Sequence, residues 1–96
     1  MFTLKITVTF SVTREKIVGS DEALNKRIKT TLQKLAVNPS HPSLQSHKVN
    51  TQNYGIRWSS WVTGDIRIIW DYDSEQRLVI ILLDIGTHSG THKVYK

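Results

Sequence analysis

The chain of 96 residues contains no cysteine, so it can form neither disulfide bonds nor thiolate zinc sites. This absence permits a reducing cytosol. No stretch approaches the roughly 20 consecutive apolar residues that a membrane-spanning helix needs. The N-terminal segment also lacks the charged flank and long apolar block of a signal peptide. We therefore expect a cytoplasmic protein with no membrane partner.

Acidic side chains are fewer than basic ones. Lys and Arg number 13 against 8 Asp and Glu, which gives a net charge of +5, and the cations are spread along the chain rather than gathered in one block. A small basic domain is a candidate for binding the phosphates of a nucleic acid. The same charge would also suit a solvated basic surface or an acidic protein partner. The length allows one domain, residues 1–96, with one modest core.

Apolar periodicity predicts an α+β fold. Residues 2–10 alternate between apolar and polar side chains, as in a half-buried strand, whereas 11–19 could form either a short helix or a turn. Residues 21–37 carry apolar side chains at helical spacing, and Ser20 is the expected N-cap. Three strand-like runs follow, at 56–62, 66–72 and 77–85. We expect one or two helices on one face of a four-strand sheet whose last three strands form an antiparallel meander.

Arg67 stands in the middle of the run 66–72 and should point away from the helices. Alternation along this run places the apolar side chains on the face that packs on the helices: Ile66, Ile68, Trp70 and Tyr72. A cation on the opposite face could bind an anionic ligand. An ion pair with Asp71 or Asp84 is the purely structural alternative.

The turn before that run decides where Trp61 points. If Gly64-Asp65 is a two-residue hairpin turn, Trp61 belongs to the core face. A three-residue turn reverses the register and exposes Trp61 on the side of Arg67. The sequence leaves both registers open.

The C-terminal segment repeats the tripeptide Gly-Thr-His, at 86–88 and again at 90–92. His88 and His92 are therefore four residues apart, a spacing that can bind zinc on a helix. The glycines and threonines argue against a helix, and the other usual ligands are not clustered nearby, so we expect no metal site. A polar tail and a terminal strand over HKVYK are both open interpretations.

Several segments, taken in order, resemble the small RelE/YafQ-type toxins of bacterial type II toxin–antitoxin systems. They are LQKLAVNPSHPSLQSHKV (32–49), GDIRIIWDYD (64–73), VIILLDIGTH (79–88) and the closing VY (94–95). The resemblance implies a RelE-like fold and a ribosome-dependent endoribonuclease that cuts mRNA without a metal or cofactor. It also implies a cognate antitoxin that wraps and neutralises the toxin.

The resemblance further assigns roles to residues of this sequence and implies that they converge on the face of the sheet opposite the helices. The implied catalytic residues are His47, Asp65, Arg67, His88 and Tyr95. The residues expected to contact RNA are Lys48, Arg57, His92 and Lys93.

The implied chemistry is attack of the RNA 2′-hydroxyl on the adjacent phosphate. His88 or Asp65 would take the hydroxyl proton. Arg67 and Lys48 would balance charge on the phosphorane. His47 or His88 would protonate the leaving oxygen.

Departures from the family pattern leave alternatives open. A histidine that YafQ-like members often carry on the second strand is missing near residues 60–62. His92 lies nearer to Val94-Tyr95 than His88 does, so either histidine can match the family position. The alternatives to an endoribonuclease are a gyrase-inhibiting toxin that resembles ParE, and an inactive binding module on the same scaffold.

Overall fold

The computed structural model describes residues 1–88, 90 and 92–96. Its elements in chain order are β1 (Thr3–Ile6), α1 (Val8–Val18), α2 (Glu22–Val37), a single 3-10 turn (Pro42–Leu44), β2 (His47–Thr51), β3 (Gly55–Trp61), β4 (Ile66–Tyr72) and β5 (Val79–Thr87). The strands form one sheet in the order β1-β5-β4-β3-β2, in which β1 runs parallel to β5 and the other neighbours are antiparallel. The α+β prediction is confirmed. The sheet has five strands rather than four because residues 47–51 pair with β3 as an edge strand.

The N-terminal strand is shorter than its alternating pattern predicts. It ends at Ile6, and α1 begins at Val8. Thr7 makes the change of direction, since its hydroxyl accepts a hydrogen bond from the N–H of Phe10 at 3.2 Å and donates one to the carbonyl of Leu82 at 2.7 Å. Phe10 therefore reaches the core from a helix, where it is 1% exposed.

Helix α2 lies close to its predicted bounds. Asp21, rather than Ser20, is the N-cap, and its carboxylate accepts from the N–H of Leu24 at 3.0 Å. The predicted apolar stripe faces the sheet and is buried. The core that the helices and the sheet share contains Phe10, Ile28, Leu32, Leu35, Leu44, Val62, Ile66, Ile68, Trp70, Ile80, Leu82 and Ile85.

The β3–β4 connection is a three-residue loop. Trp61 pairs with Arg67, and the N–H of Val62 donates to the carbonyl of Ile66 at 2.9 Å. The two-residue turn is therefore wrong, and the alternative register is the one observed. Trp61 is 39% exposed and lies on the same face as Arg67.

The C-terminal residues 92–96, called the tail below, connect two strands that are not neighbours in the sheet. Thr87 of β5 donates its N–H to the carbonyl of His92 at 2.8 Å and accepts from the N–H of Val94 at 3.0 Å. The carbonyl of Val94 then accepts from Gln52 at 2.9 Å, and Lys96 donates to Asn50 at 2.8 Å. Backbone hydrogen bonds thus run from β5 through β4, β3 and β2 and return through the tail to β5.

Among the described residues, no helix is long and apolar enough to cross a membrane.

Candidate active site

The side of β2–β5 that is turned away from the helices, called the far face below, is largely buried, because the tail lies across it. This finding corrects the expectation of a free face. Its buried members are mostly polar, unlike the apolar core on the other side of the sheet: Thr51, Ser59, Arg67, Ile69 and Asp84. The far face therefore has the composition of a ligand-binding site rather than that of a second hydrophobic core.

Arg67 is the buried cation of this face. It is 5% exposed, and its guanidinium carbon lies 4.3 Å from the ring centroid of Trp61. One nitrogen, Nη1, donates to the carbonyls of Thr63 at 2.8 Å and Ile66 at 3.4 Å. The Nε atom is buried and has no hydrogen-bond partner among the described residues. A buried donor without a partner is rare, because its desolvation is not compensated.

The predicted ion pair of Arg67 is not formed. Asp71 pairs instead with Arg57, with 2.9 Å between Nη1 and Oδ2. Asp84 is oriented by the N–H of Ile85, which donates to its Oδ1 at 2.9 Å. Among the described residues, no carboxylate is paired with Arg67, so its charge is available for an anion that the chain itself does not supply.

His88 and Tyr95 meet beside this region. Their ring centroids are 4.9 Å apart in an edge-on arrangement. The Tyr95 hydroxyl shares a hydrogen bond of 2.6 Å with the buried hydroxyl of Ser59. The N–H of His88 donates to the carbonyl of Asp65 at 3.0 Å, which ties the end of β5 to the β3–β4 loop. The structure thus brings Asp65, His88 and Tyr95 to the end of the sheet at which Arg67 lies.

The predicted histidine–lysine pair on β2 is divided between the two faces of the sheet. His47 pairs with Ser59 and so belongs to the far face, where its exposed ring places Nδ1 2.7 Å from the carbonyl of Gln45. Lys48 pairs with Trp58 on the helix side, with its ammonium 5.7 Å from the Trp58 ring centroid. Lys48 therefore does not converge with Arg67.

The two histidines of the repeated tripeptide also have different surroundings. His88 contacts Tyr95, whereas His92 and Lys93 line a groove of about 370 Å³ beside Lys16 and Asp84. Burial raises the pKa of the Asp84 carboxyl, and the hydrogen bond from the N–H of Ile85 lowers it in part. His88 therefore lies with Tyr95, and His92 lies in the groove beside Asp84. Within the described part of the chain, no three His, Cys, Asp or Glu side chains gather as a metal site would require.

Sequence reasoning missed Ser59 and Gly86 as members of this region. Ser59 lies on the same face of β3 as Trp61, which pairs with Arg67, and a hydroxyl on that face was the available signal. Gly86 lies opposite Arg67 in β5, where an added Cβ would overlap the carbonyl oxygen of His92 and the side chain of Val94. The close approach of the tail explains why a glycine stands there.

This order of strands and helices is the RelE-like fold of small toxins from toxin–antitoxin systems. The YoeB/ParE toxin from Agrobacterium tumefaciens aligns with a TM-score of 0.69 at 13% identity, over 93% of this chain and 100% of its own. The conserved hypothetical protein HP0894 from Helicobacter pylori aligns with a TM-score of 0.65 at 21% identity, over 92% and 96% of the two chains. YafQ from Escherichia coli aligns with a TM-score of 0.63 at 17% identity, over 91% and 93%. No protein-family model matches the sequence, and no curated protein matches it.

Proposed function

We propose that the chain is the toxin of a toxin–antitoxin pair and that it cleaves mRNA on the ribosome. The observation that carries this proposal is the buried guanidinium of Arg67, which has no carboxylate partner among the described residues, at the end of the sheet where Asp65, His88 and Tyr95 meet. An arginine binds a phosphate with paired, charge-assisted hydrogen bonds. The fold shared with YafQ and the YoeB/ParE toxin supports the class of protein.

The reaction needs a base, an acid and a cation, and it needs no metal. The 2′ oxygen forms a bond to the adjacent phosphorus while the bond from phosphorus to the 5′ oxygen breaks, which leaves a cyclic phosphate and a free 5′-hydroxyl. The exposed imidazole of His88, which packs against Tyr95, takes the 2′ proton, and the exposed ring of His47 on the far face gives a proton to the departing 5′ oxygen. Arg67 stabilises the charge that develops on the phosphorane.

Arg67 must become more accessible before it can bind a phosphate. Trp61 covers one face of its guanidinium, and the tail crosses β5 at Gly86, its partner in the ladder. A shift of the Trp61 side chain, which is 39% exposed, would open that face of the guanidinium. We therefore propose that RNA enters from the side of Trp61.

The proposed partners are mRNA on the ribosome and an antitoxin protein, and the proposed compartment is the cytoplasm. E. coli YafQ, which aligns with this chain at a TM-score of 0.63, has been solved in complex with DinJ. A net charge of +5 suits binding to the ribosome and to an acidic antitoxin alike.

The repeated tripeptide supplies a matched pair of variants for the test. We expect induced wild-type protein to arrest growth and to produce in-frame cuts in ribosome-bound mRNA. His88→Ala should reduce cleavage by roughly a hundred-fold or more, as loss of a positioned base does. His92→Ala removes the same side chain from the groove beside Asp84 and should leave cleavage unchanged.

Two outcomes would contradict the proposal in different ways. Growth arrest with intact mRNA would indicate a toxin with another target, such as a ParE-like inhibitor of gyrase. Normal growth with intact mRNA would indicate an inactive binding module. Loss of cleavage in His92→Ala but not in His88→Ala would place the base in the groove instead.

A further inference from the structure

A second cleft lies on the helix side of the sheet, where neither helix covers β3 and β4. The loop that follows α2 forms one wall, and three aromatic side chains form the floor. The cleft has a volume of about 580 Å³, and its lining includes Pro39, His41, His47, Trp58, Trp70 and Tyr72. We call it the aromatic cleft. No residue proposed for catalysis, apart from His47, takes part in it.

The aromatic floor is held rigidly. Trp58 stacks on Trp70 with ring centroids 5.6 Å apart and an angle of 16° between the planes, and Tyr72 meets Trp70 edge-on at 5.1 Å. Trp70 is fully buried, and its indole N–H donates to the hydroxyl of Ser60 at 2.8 Å. Trp58 and Tyr72 are partly exposed above it. Because these rings are already packed in place, a flat ligand that stacks on their exposed parts needs little ordering of the protein.

The charges around the aromatic cleft select an anionic ligand. Among the described residues that line it, none is acidic. The Lys48 ammonium stands 5.7 Å from the Trp58 ring centroid, and His41 is one of the residues of the wall. The Nζ of Lys34, on the exposed side of α2, donates to the hydroxyl of Ser43 at 3.2 Å, next to His41. Aromatic faces combined with cations are the combination that binds single-stranded nucleic acid.

We propose that the aromatic cleft binds a base of single-stranded RNA, with the neighbouring phosphate on Lys48. This inference rests on the proposed function for the identity of the ligand. His47 and Lys48 are adjacent on the edge strand β2, and they face opposite sides of the sheet. A strand of RNA that crosses this edge passes from the cleavage site to the aromatic cleft. His47 and Lys48 would thus contact the RNA where it passes around the edge strand β2. Lys48 would bind a phosphate that is not the one cleaved.

The test uses a deoxyuridine oligomer, which has no 2′-hydroxyl and so cannot be cleaved. In the wild-type protein we expect NMR shift changes at the Trp58 indole and the His41 ring when the oligomer is added. Trp58→Leu and Tyr72→Leu should each weaken oligomer binding by roughly five- to a hundred-fold, the usual effect of losing one stacked base. Trp58→Phe keeps a ring and should bind nearly as well as wild type.

A shorter ligand and a lysine outside the aromatic cleft provide the matched controls. Lys48→Ala should weaken the binding of the oligomer while leaving the binding of the nucleoside deoxyuridine, which has no phosphate, unaffected, whereas Lys29→Ala, which removes an exposed lysine of α2, should affect neither. Thermal melts of each variant identify any that fail to fold. The NMR titration of the wild-type protein tests binding in the aromatic cleft without relying on the variants.

The outcomes separate this inference from the proposed function. Shift changes confined to Trp61, His88 and Tyr95 would overturn the aromatic cleft as an RNA site, even if mRNA is cut in cells. Shift changes at Trp58 with an acidic peptide but not with the oligomer would also overturn it, and would identify a protein-docking site. Oligomer binding at Trp58 in a protein that leaves cellular mRNA intact would support the aromatic cleft while the proposed cleavage fails.

Discussion

At the scale of single residues, Gly86 is the glycine at which an added methyl group has the largest expected effect. An added Cβ would overlap the carbonyl of His92 and the Val94 side chain, and backbone atoms cannot move aside as a flexible side chain can. We expect Gly86→Ala to lower the free energy of unfolding by about 1–3 kcal/mol, the usual cost of overpacking. Urea unfolding of the variant and the wild type measures this difference.

Gly64 offers the matched control, because a Cβ there meets nothing within 4 Å. Gly64→Ala should therefore change the unfolding free energy little. Equal stability of the two alanine variants would show that the tail does not pack on β5 in solution.

Asp84 is a residue whose protonation should affect stability. Burial raises the pKa of its carboxyl above the ordinary value, so within the window between the unfolded and the folded pKa the folded protein holds the proton more often. The free energy of unfolding then falls as pH rises through this window. Asp84→Asn cannot ionise and keeps an oxygen for the N–H of Ile85. The variant should gain stability relative to wild type as pH rises from about 3.8 towards neutrality, as measured by urea unfolding across pH.

Asp73 provides a control of opposite sign. Hydrogen bonds from the N–H groups of Glu75 and Gln76 lower the pKa of its exposed carboxyl. Its stabilising contribution is present above the ordinary pKa and is lost as pH falls through the lowered value. Asp73→Asn should therefore lose stability relative to wild type as pH rises, and a shared direction for the two variants would contradict the assignment.

At the scale of secondary-structure elements, Thr7 decides that the chain leaves the sheet and starts a helix. Its hydroxyl both caps α1 and bonds to the carbonyl of Leu82 on β5. Thr7→Val keeps the shape but removes both hydrogen bonds, so we expect a loss of about 1–2 kcal/mol of unfolding free energy. Thr7→Ser keeps the hydroxyl and should stay close to wild type. A valine variant as stable as the serine variant would argue against the cap.

The alternation of residues 2–10 illustrates why that element was only partly predictable. Phe10 is buried whether it follows Val8 in a strand or comes one turn into a helix, so an apolar pattern of this length fits both. The decisive interaction is the bond from Thr7 to Leu82, which is 75 residues away in sequence. Helix α2 was predictable because its 16 residues repeat the apolar spacing over several turns.

At the scale of the whole molecule, the distribution of cations predicts the salt dependence of RNA binding. Each phosphate contact on a single strand contributes a log–log slope of about −0.7. Lys48 and Lys93 are exposed, so Lys48→Ala and Lys93→Ala should each make the slope shallower by about 0.7. Arg57 is paired with Asp71, so Arg57→Ala should change it less. Binding titrations of an RNA oligomer at several salt concentrations measure these slopes. An affinity that does not change with salt would show that the basic surface does not bind the RNA phosphates.

The sequence by itself determined the helices and strands in which apolar side chains recur at a regular spacing. The helix over residues 22–37, the strands β3, β4 and β5, and the direction of Arg67 away from the helices all follow from side-chain periodicity. A period of two or of 3.6 residues is a property of neighbouring residues, so it can be read without knowing the rest of the chain. The same reasoning placed Ile68 and Trp70 in the core, where both are fully buried.

The tertiary structure alone decided which distant backbone edges pair. The bonds of Thr87 and Gln52 to the tail cover the far face, and the three-residue loop places Trp61 over Arg67. The hydrogen bonds of the tail also bring Tyr95 into contact with His88 and place His92 in another groove, although both histidines end identical tripeptides. The Gly-Thr before each histidine is the same, so the tripeptide does not distinguish them, whereas the long-range hydrogen bonds that place the tail do.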